Sequence, residues 1–139
     1  MNHSKIPETL CPSATPDRWT DKFERQAEIN PTHTAVISGS KSLSYGELSA
    51  RSNQIANLLR SHGIGRGHFV GLGLHRCLDL PVALLGIMKS GAAYVPLDPG
   101  YPTARIEQMI TSAKLEYVVT NKELAGDFPN AHTICVDDQ

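Results

Sequence analysis

The stretch FVGLGLHRCLDLPVALLGIMKSGAAYV, residues 69–95, decides the fold. Phe69-Val70-Gly71-Leu72-Gly73-Leu74 is an apolar run of the length of a buried strand. Its two glycines mark a place where a packed helix or another backbone comes close. Leu80 to Lys89 then reads as a helix, with Asp79 as its cap, Pro81 in its first turn and Gly91 as its stop. Val82, Leu84, Leu85, Ile87 and Met88 cover most of its circumference, so burial on several sides is expected. Ala92-Ala93-Tyr94-Val95 is the next strand. Strand, crossover helix and strand in this order form a βαβ unit, which is right-handed in nearly every known case.

The pattern continues in both directions. After Val95, Pro96-Leu97-Asp98-Pro99-Gly100-Tyr101-Pro102 is a loop stiffened by three prolines, through which neither helix nor inner strand can continue. Pro102 opens a helix whose inner stripe is Ile106, Met109, Ile110 and Ala113. Leu115 to Thr120 reads as a strand, Asn121 to Ala125 as one helical turn, and Thr133-Ile134-Cys135-Val136 as a last strand. Upstream, Ser44 and Glu47 stand as a capping box, with Leu43 and Leu48 as the hydrophobic staple around it. A helix therefore starts at Tyr45, faces inward with Leu48, Ile55, Ala56 and Leu59, and ends at Gly63. Ala35-Val36-Ile37 and Leu43 flank Ser38-Gly39-Ser40-Lys41 as a short hairpin. Before it, Trp19, Phe23, Ala27 and Ile29 mark an amphipathic helix, with Asp17 or Thr20 available as cap and Asn30-Pro31 as its stop. Residues 1–16, with Pro7, Pro12 and Pro16, read as a leader or linker, which leaves residues 17–139 as the domain. The expected class is α/β: a mostly parallel sheet with helices on both faces, and a short hairpin near the N-terminus.

Composition excludes several kinds of function. The 139 residues carry 13 Lys and Arg against 14 Asp and Glu, a net charge of -1, with no basic cluster. Nucleic acid is not an expected partner, because phosphate-backbone binding needs a basic patch or stripe. No apolar run approaches a membrane span, and Met1 to Leu10 carries charge and Pro7 where a signal peptide has its apolar core. The expected location is the cytoplasm. Cys11, Cys77 and Cys135 fit neither a disulfide framework nor a clustered zinc site, and read as free thiols.

A search for an active site returns structural explanations. Gly71-Leu72-Gly73 lies inside a predicted strand, with Arg76 where the third glycine of a dinucleotide fingerprint belongs; Gly63-Ile64-Gly65-Arg66-Gly67 precedes the strand it should follow. Asp98 could mimic a ribose-binding acid, yet it sits between prolines in a turn. Ser38-Gly39-Ser40-Lys41-Ser42 resembles the tail of a phosphate loop, but Thr34 stands where the first Walker glycine belongs. His75-Arg76-Cys77, with His62 and His68 elsewhere, does not make a four-ligand metal shell. Glu47 is claimed by a capping box, Asp79 by a helix start, and Asp137 and Asp138 by a terminal tail. No catalytic, cofactor-binding or metal-binding residue is assigned.

Two stretches explain that outcome. Leu43-Ser44-Tyr45-Gly46-Glu47-Leu48 and Met88-Lys89-Ser90-Gly91-Ala92-Ala93-Tyr94-Val95-Pro96-Leu97-Asp98-Pro99 closely resemble, in order and spacing, the first two core motifs of the adenylation domains of nonribosomal peptide synthetases. The likeness extends through Phe23, Gln26, Pro31, Ala35-Val36, Arg51 to Ala56, Leu59, Gly63, Val70, Tyr101-Pro102 and Arg105, over roughly residues 19–136. Ser90 stands where alanine is usual. The resemblance implies an N-terminal portion of an enzyme that uses ATP and Mg²⁺ to convert an amino acid to its acyl-adenylate and then loads a carrier-protein thiol. The family's Pro-Lys-ending phosphate loop, selectivity aspartate, nucleotide-binding acids and C-terminal lysine have no match in this chain. The two motifs that are present look architectural.

The resemblance implies, as partners, the remainder of the adenylation domain and a carrier protein, with self-association through an exposed sheet edge. Three readings follow: the N-terminal piece of an adenylation domain, inert alone; a non-catalytic assembly module or half of a split enzyme; and an independent small α/β nucleotide-binding protein.

Overall fold

The computed structural model describes residues 18–138. The expected leader, with Pro7, Pro12, Pro16 and Cys11, and the suggested cap Asp17 lie outside the described residues. The elements are α1 (Trp19–Ile29), β1 (Thr34–Ser38), β2 (Lys41–Ser44), α2 (Tyr45–Ser61), β3 (Phe69–Leu72), α3 (Asp79–Ser90), β4 (Ala93–Pro96), α4 (Thr103–Ser112), β5 (Tyr117–Thr120), a 3-10 turn Ala125–Asp127, β6 (His132–Cys135) and a second 3-10 turn Val136–Asp138.

The sheet is parallel and four-stranded in the order β4-β3-β5-β6, flanked by helices, and β1 and β2 form a separate antiparallel hairpin. Gly39 turns that hairpin with φ at +62°, at the first turn position, where a side chain is disfavoured. In α2 the capping box forms as expected: Ser44 Oγ accepts from Glu47 N at 3.1 Å and Glu47 Oε1 from Ser44 N at 3.0 Å. Leu48, Ile55, Ala56 and Leu59 are all buried, and Gly63 leaves the helix in the left-handed region.

Helices α2 and α3 pack face to face, and at Gly86 they come close together. A Cβ at Gly86 would stand 2.5 Å from Ile55 Cβ, so the crossing needs hydrogen there. On the sheet, Val70 and Leu72 alternate with Gly71. A Cβ at Gly71 would meet Leu97 and Val118 at 2.9 Å. Ile106 and Ile110 of α4 are buried, as the stripe predicts. No helix among the described residues is long and apolar enough to cross a membrane.

Several local expectations are corrected. Thr20 does not cap α1: Arg18 holds the cap position, and its N–H donates to Asp21 Oδ2 at 3.1 Å. Ile29 is 71% exposed instead of facing inward, because α1 is an outer helix. Asp79 is not a helix cap. Leu78 precedes α3 in helical geometry, and the Asp79 carboxylate accepts from Arg51 Nη2 at 2.7 Å. The helical turn read at Asn121–Ala125 comes later, at Ala125–Asp127, because Asn121 Oδ1 first accepts from Leu124 N at 2.9 Å and turns the chain. Asp137 is not a loose tail, since its carboxylate receives Lys122 N at 3.1 Å.

Candidate functional site

In an open α/β sheet, ligands bind beyond the carboxyl ends of the strands where the strand order reverses. Here the chain moves from β3 to β4 on one side and from β5 to β6 on the other, so the crevice is expected beyond Leu72 and Thr120. It is filled by the protein itself. Thr120 Oγ1 donates to Gly73 O at 2.6 Å and Gly73 N to Val119 O at 3.0 Å, which fastens the two strand ends together. The Phe128 ring, 2% exposed, lies against Gly73 so closely that a Cβ there would stand 2.2 Å from Cζ. Gly73, just past the end of β3, therefore accommodates an aromatic plug that fills this point of the crevice.

Beside it, a cleft of about 340 Å³ at the ends of β3 and β4 is lined by His75, Arg76, Leu74, Leu97 and Asp98 among others. The three polar side chains are exposed and make no hydrogen bond with one another among the described residues. A base and the group it serves must approach within hydrogen-bond reach, and these do not. Asp98 Oδ1 instead accepts from Gly100 N at 2.8 Å and shapes the proline loop. Ser38 to Lys41 is a hairpin turn, and Gly63 and Gly67 carry positive φ in the link from α2 to β3. Cys77 is a half-buried free thiol. Among the described residues no three His, Cys, Asp or Glu side chains gather as a cation's ligands.

What the two quoted motifs do can be read atom by atom. The Glu47 carboxyl is held below the usual glutamate range, first by the Ser44 N–H and then by the Ser44 hydroxyl. In the second motif, Lys89 carries the principal polar junction. Its side chain is 7% exposed and forms an ion pair with Glu24 of α1. Its ammonium donates to Ser52 Oγ at 2.8 Å and Asn53 Oδ1 at 2.9 Å on α2, and lies 5.1 Å from the centre of the Phe23 ring. Ser49 Oγ also donates to Glu24, at 3.1 Å. One ammonium thus ties three helices. Sequence reasoning missed it; the available signal was a lysine in the last turn of a helix expected to be buried on several sides. Ser90, the departure from alanine, is buried yet satisfied: its hydroxyl donates to Ile87 O and accepts from Ala92 N at 3.3 Å. Gly91 then turns the chain into β4 with φ at +97°.

Comparison with known proteins places this architecture. The profile of the family described as AMP-binding enzyme matches residues 23–139. The dimodular nonribosomal peptide synthase of Bacillus subtilis (strain 168) is 39% identical over 137 residues, covering 96% of this chain and 5% of that protein. Tyrocidine synthase 2 of Brevibacillus parabrevis is 46% identical over 102 residues, covering 73% and 3%. The crystal structure of the nonribosomal peptide synthetase FmoA3 with α-methyl-L-serine-AMP superposes with a TM-score of 0.83 at 27% identity, over 90% of this chain and 15% of that one. The chain therefore spans a small fraction of the length of the relatives that it matches.

Proposed function

The chain belongs to the AMP-binding enzyme family, and from that premise we propose that it supplies the N-terminal scaffold of an amino-acid-activating adenylation domain in nonribosomal peptide synthesis. The complete domain would use ATP and Mg²⁺ to form an aminoacyl-adenylate and load a carrier-protein thiol. This segment would build and brace a wall of that domain. The observation that carries the reading is the closed crevice between β3 and β5, where Phe128 and the Thr120–Gly73 hydrogen bond fill the place at which open α/β sheets usually bind their ligands. The same observation disfavours an independent nucleotide-binding protein.

The partners are inferred from the family. The remainder of the adenylation domain would complete the sheet and a carrier protein would receive the product, all within the cytoplasm. A second reading, self-association or assembly from two chains, is favoured by β4 and β6, which lie at the two edges of the sheet, since unpaired edges recruit strands.

A chimera tests the proposal. The part of this chain that aligns with tyrocidine synthase 2 would replace the 102 residues that it matches there, and amino-acid-dependent ATP–pyrophosphate exchange would be measured. Retained exchange with the host's amino acid preference is expected. A folded chimera that loses exchange, or that changes its preferred amino acid, would overturn the scaffold role.

A further inference from the structure

A cleft of about 640 Å³ opens where the start of α1, the end of α2 and the end of α3 meet, and Arg18, Trp19, Arg60, Arg66 and Lys89 are among its lining residues. Among the described residues no acidic side chain lines it. The Lys89 charge is matched by Glu24. Arg60 is held in place by Asn57 Oδ1 at 3.2 Å and by the carbonyl oxygen of Lys89, whose negative end of the α3 dipole it covers. Arg66 is fixed through its backbone: a Cβ on Gly91 would stand 3.2 Å from Arg66 N, so the glycine lets the 65–67 loop settle against α3. Among the described residues the Arg18 and Arg66 guanidinium groups have no hydrogen-bond or ion-pair partner. Trp19, the only tryptophan of the chain, is 45% exposed.

We propose that this cleft docks an acidic peptide segment of a neighbouring domain in the same synthetase assembly. Arginine and tryptophan are the side chains that most often dominate protein interfaces, and arginine pairs with carboxylates through two parallel hydrogen bonds. Positive charge gathers in this cleft while the whole chain carries -1, so a nucleic acid would find no track to follow. The volume and the indole exceed what a small anion would use. The proposal rests on the preceding reading only for the partner's source, and the exchange assay on the chimera decides that reading separately.

The test uses the emission of Trp19, which reports on this cleft alone. An octapeptide of alternating glutamate pairs and leucines, and its glutamine counterpart, would be titrated into the purified chain. A saturable change with the glutamate peptide only is expected. Both Arg66→Glu and Arg66→Gln, at an exposed position, should weaken it about tenfold or more, the loss of one charge-assisted contact. Affinity should also fall as salt rises, which keeps the wild-type chain informative if a variant fails to fold. Equal response to the glutamine peptide, no saturable response, or unchanged affinity in folded Arg66 variants would overturn the proposal. An equal response to inorganic phosphate or to an RNA oligonucleotide would also overturn it, the first in favour of a simple anion site.

Discussion

Lys89 Nζ donates to Ser52 Oγ at 2.8 Å, and through this contact and the Glu24 ion pair the last turn of α3 is bound to both α1 and α2. Ser52 passes the connection on, since its hydroxyl donates to Ser49 O at 3.0 Å. A lysine inside a helical layer needs every donor satisfied. Here carboxylate, hydroxyl, amide and aromatic face surround it.

Replacing Lys89 with methionine keeps the aliphatic stem and removes the charge. Glu24 is 38% exposed and can return to water, so the cost falls below that of a fully buried broken pair. A loss of about 2 kcal/mol is expected, with less than about 1 kcal/mol for Glu24→Gln. Urea denaturation with an unchanged m-value would check both.

Gly73→Ala places a methyl group in the Phe128 ring. Overpacking of this kind costs roughly 1–3 kcal/mol, and thermal unfolding should show it. A second change, Phe128→Leu, should recover part of the loss in the double variant, because the overlap depends on the ring. Additive costs would argue that the two residues do not meet.

The capping box gives a pH dependence of defined sign. Folding lowers the Glu47 pKa, so its charge adds stability above its unfolded value, near the 4.5 of an ordinary glutamate, and that contribution is lost as pH falls through the lower folded value. Glu47→Gln keeps an acceptor for Ser44 N but carries no charge. The melting-temperature gap between wild type and this variant should therefore shrink between about pH 6 and pH 3. Ser44→Ala should cost roughly 1 kcal/mol at neutral pH.

Tyr94 is 43% exposed on β4, an edge strand. If the isolated chain associates through this edge, Tyr94→Lys should shift it toward monomer, as charge does on natural edge strands. Sedimentation velocity over a range of concentrations would measure the shift, and a wild-type chain that stays monomeric throughout would remove the edge as a contact.

Most of the architecture is legible in the sequence because local signals agree. Ser44, Glu47, Leu43 and Leu48 specify one helix start four times over, and Gly63 and Gly91 end helices where only a positive φ permits the turn. Two of the expectations that failed concern side chains claimed by partners distant in sequence. Asp79 looks like a cap until Arg51, from another helix, reaches it, and Asp137 looks loose until Lys122 N meets it. The Lys89 junction was hidden for the same reason: its partners lie 36 to 65 residues away in sequence, and no periodicity encodes that distance. Phe128 gives no sequence signal as a plug, although the two glycines of Phe69 to Leu74 do announce that something comes close.

Amino-acid-dependent ATP–pyrophosphate exchange by the purified 139-residue chain tests the central claim most directly. With every proteinogenic amino acid supplied in turn, the rate should equal that of the buffer control, while the chimera exchanges. Exchange above background by the isolated chain, abolished on its removal, would contradict a scaffold that holds no reacting group.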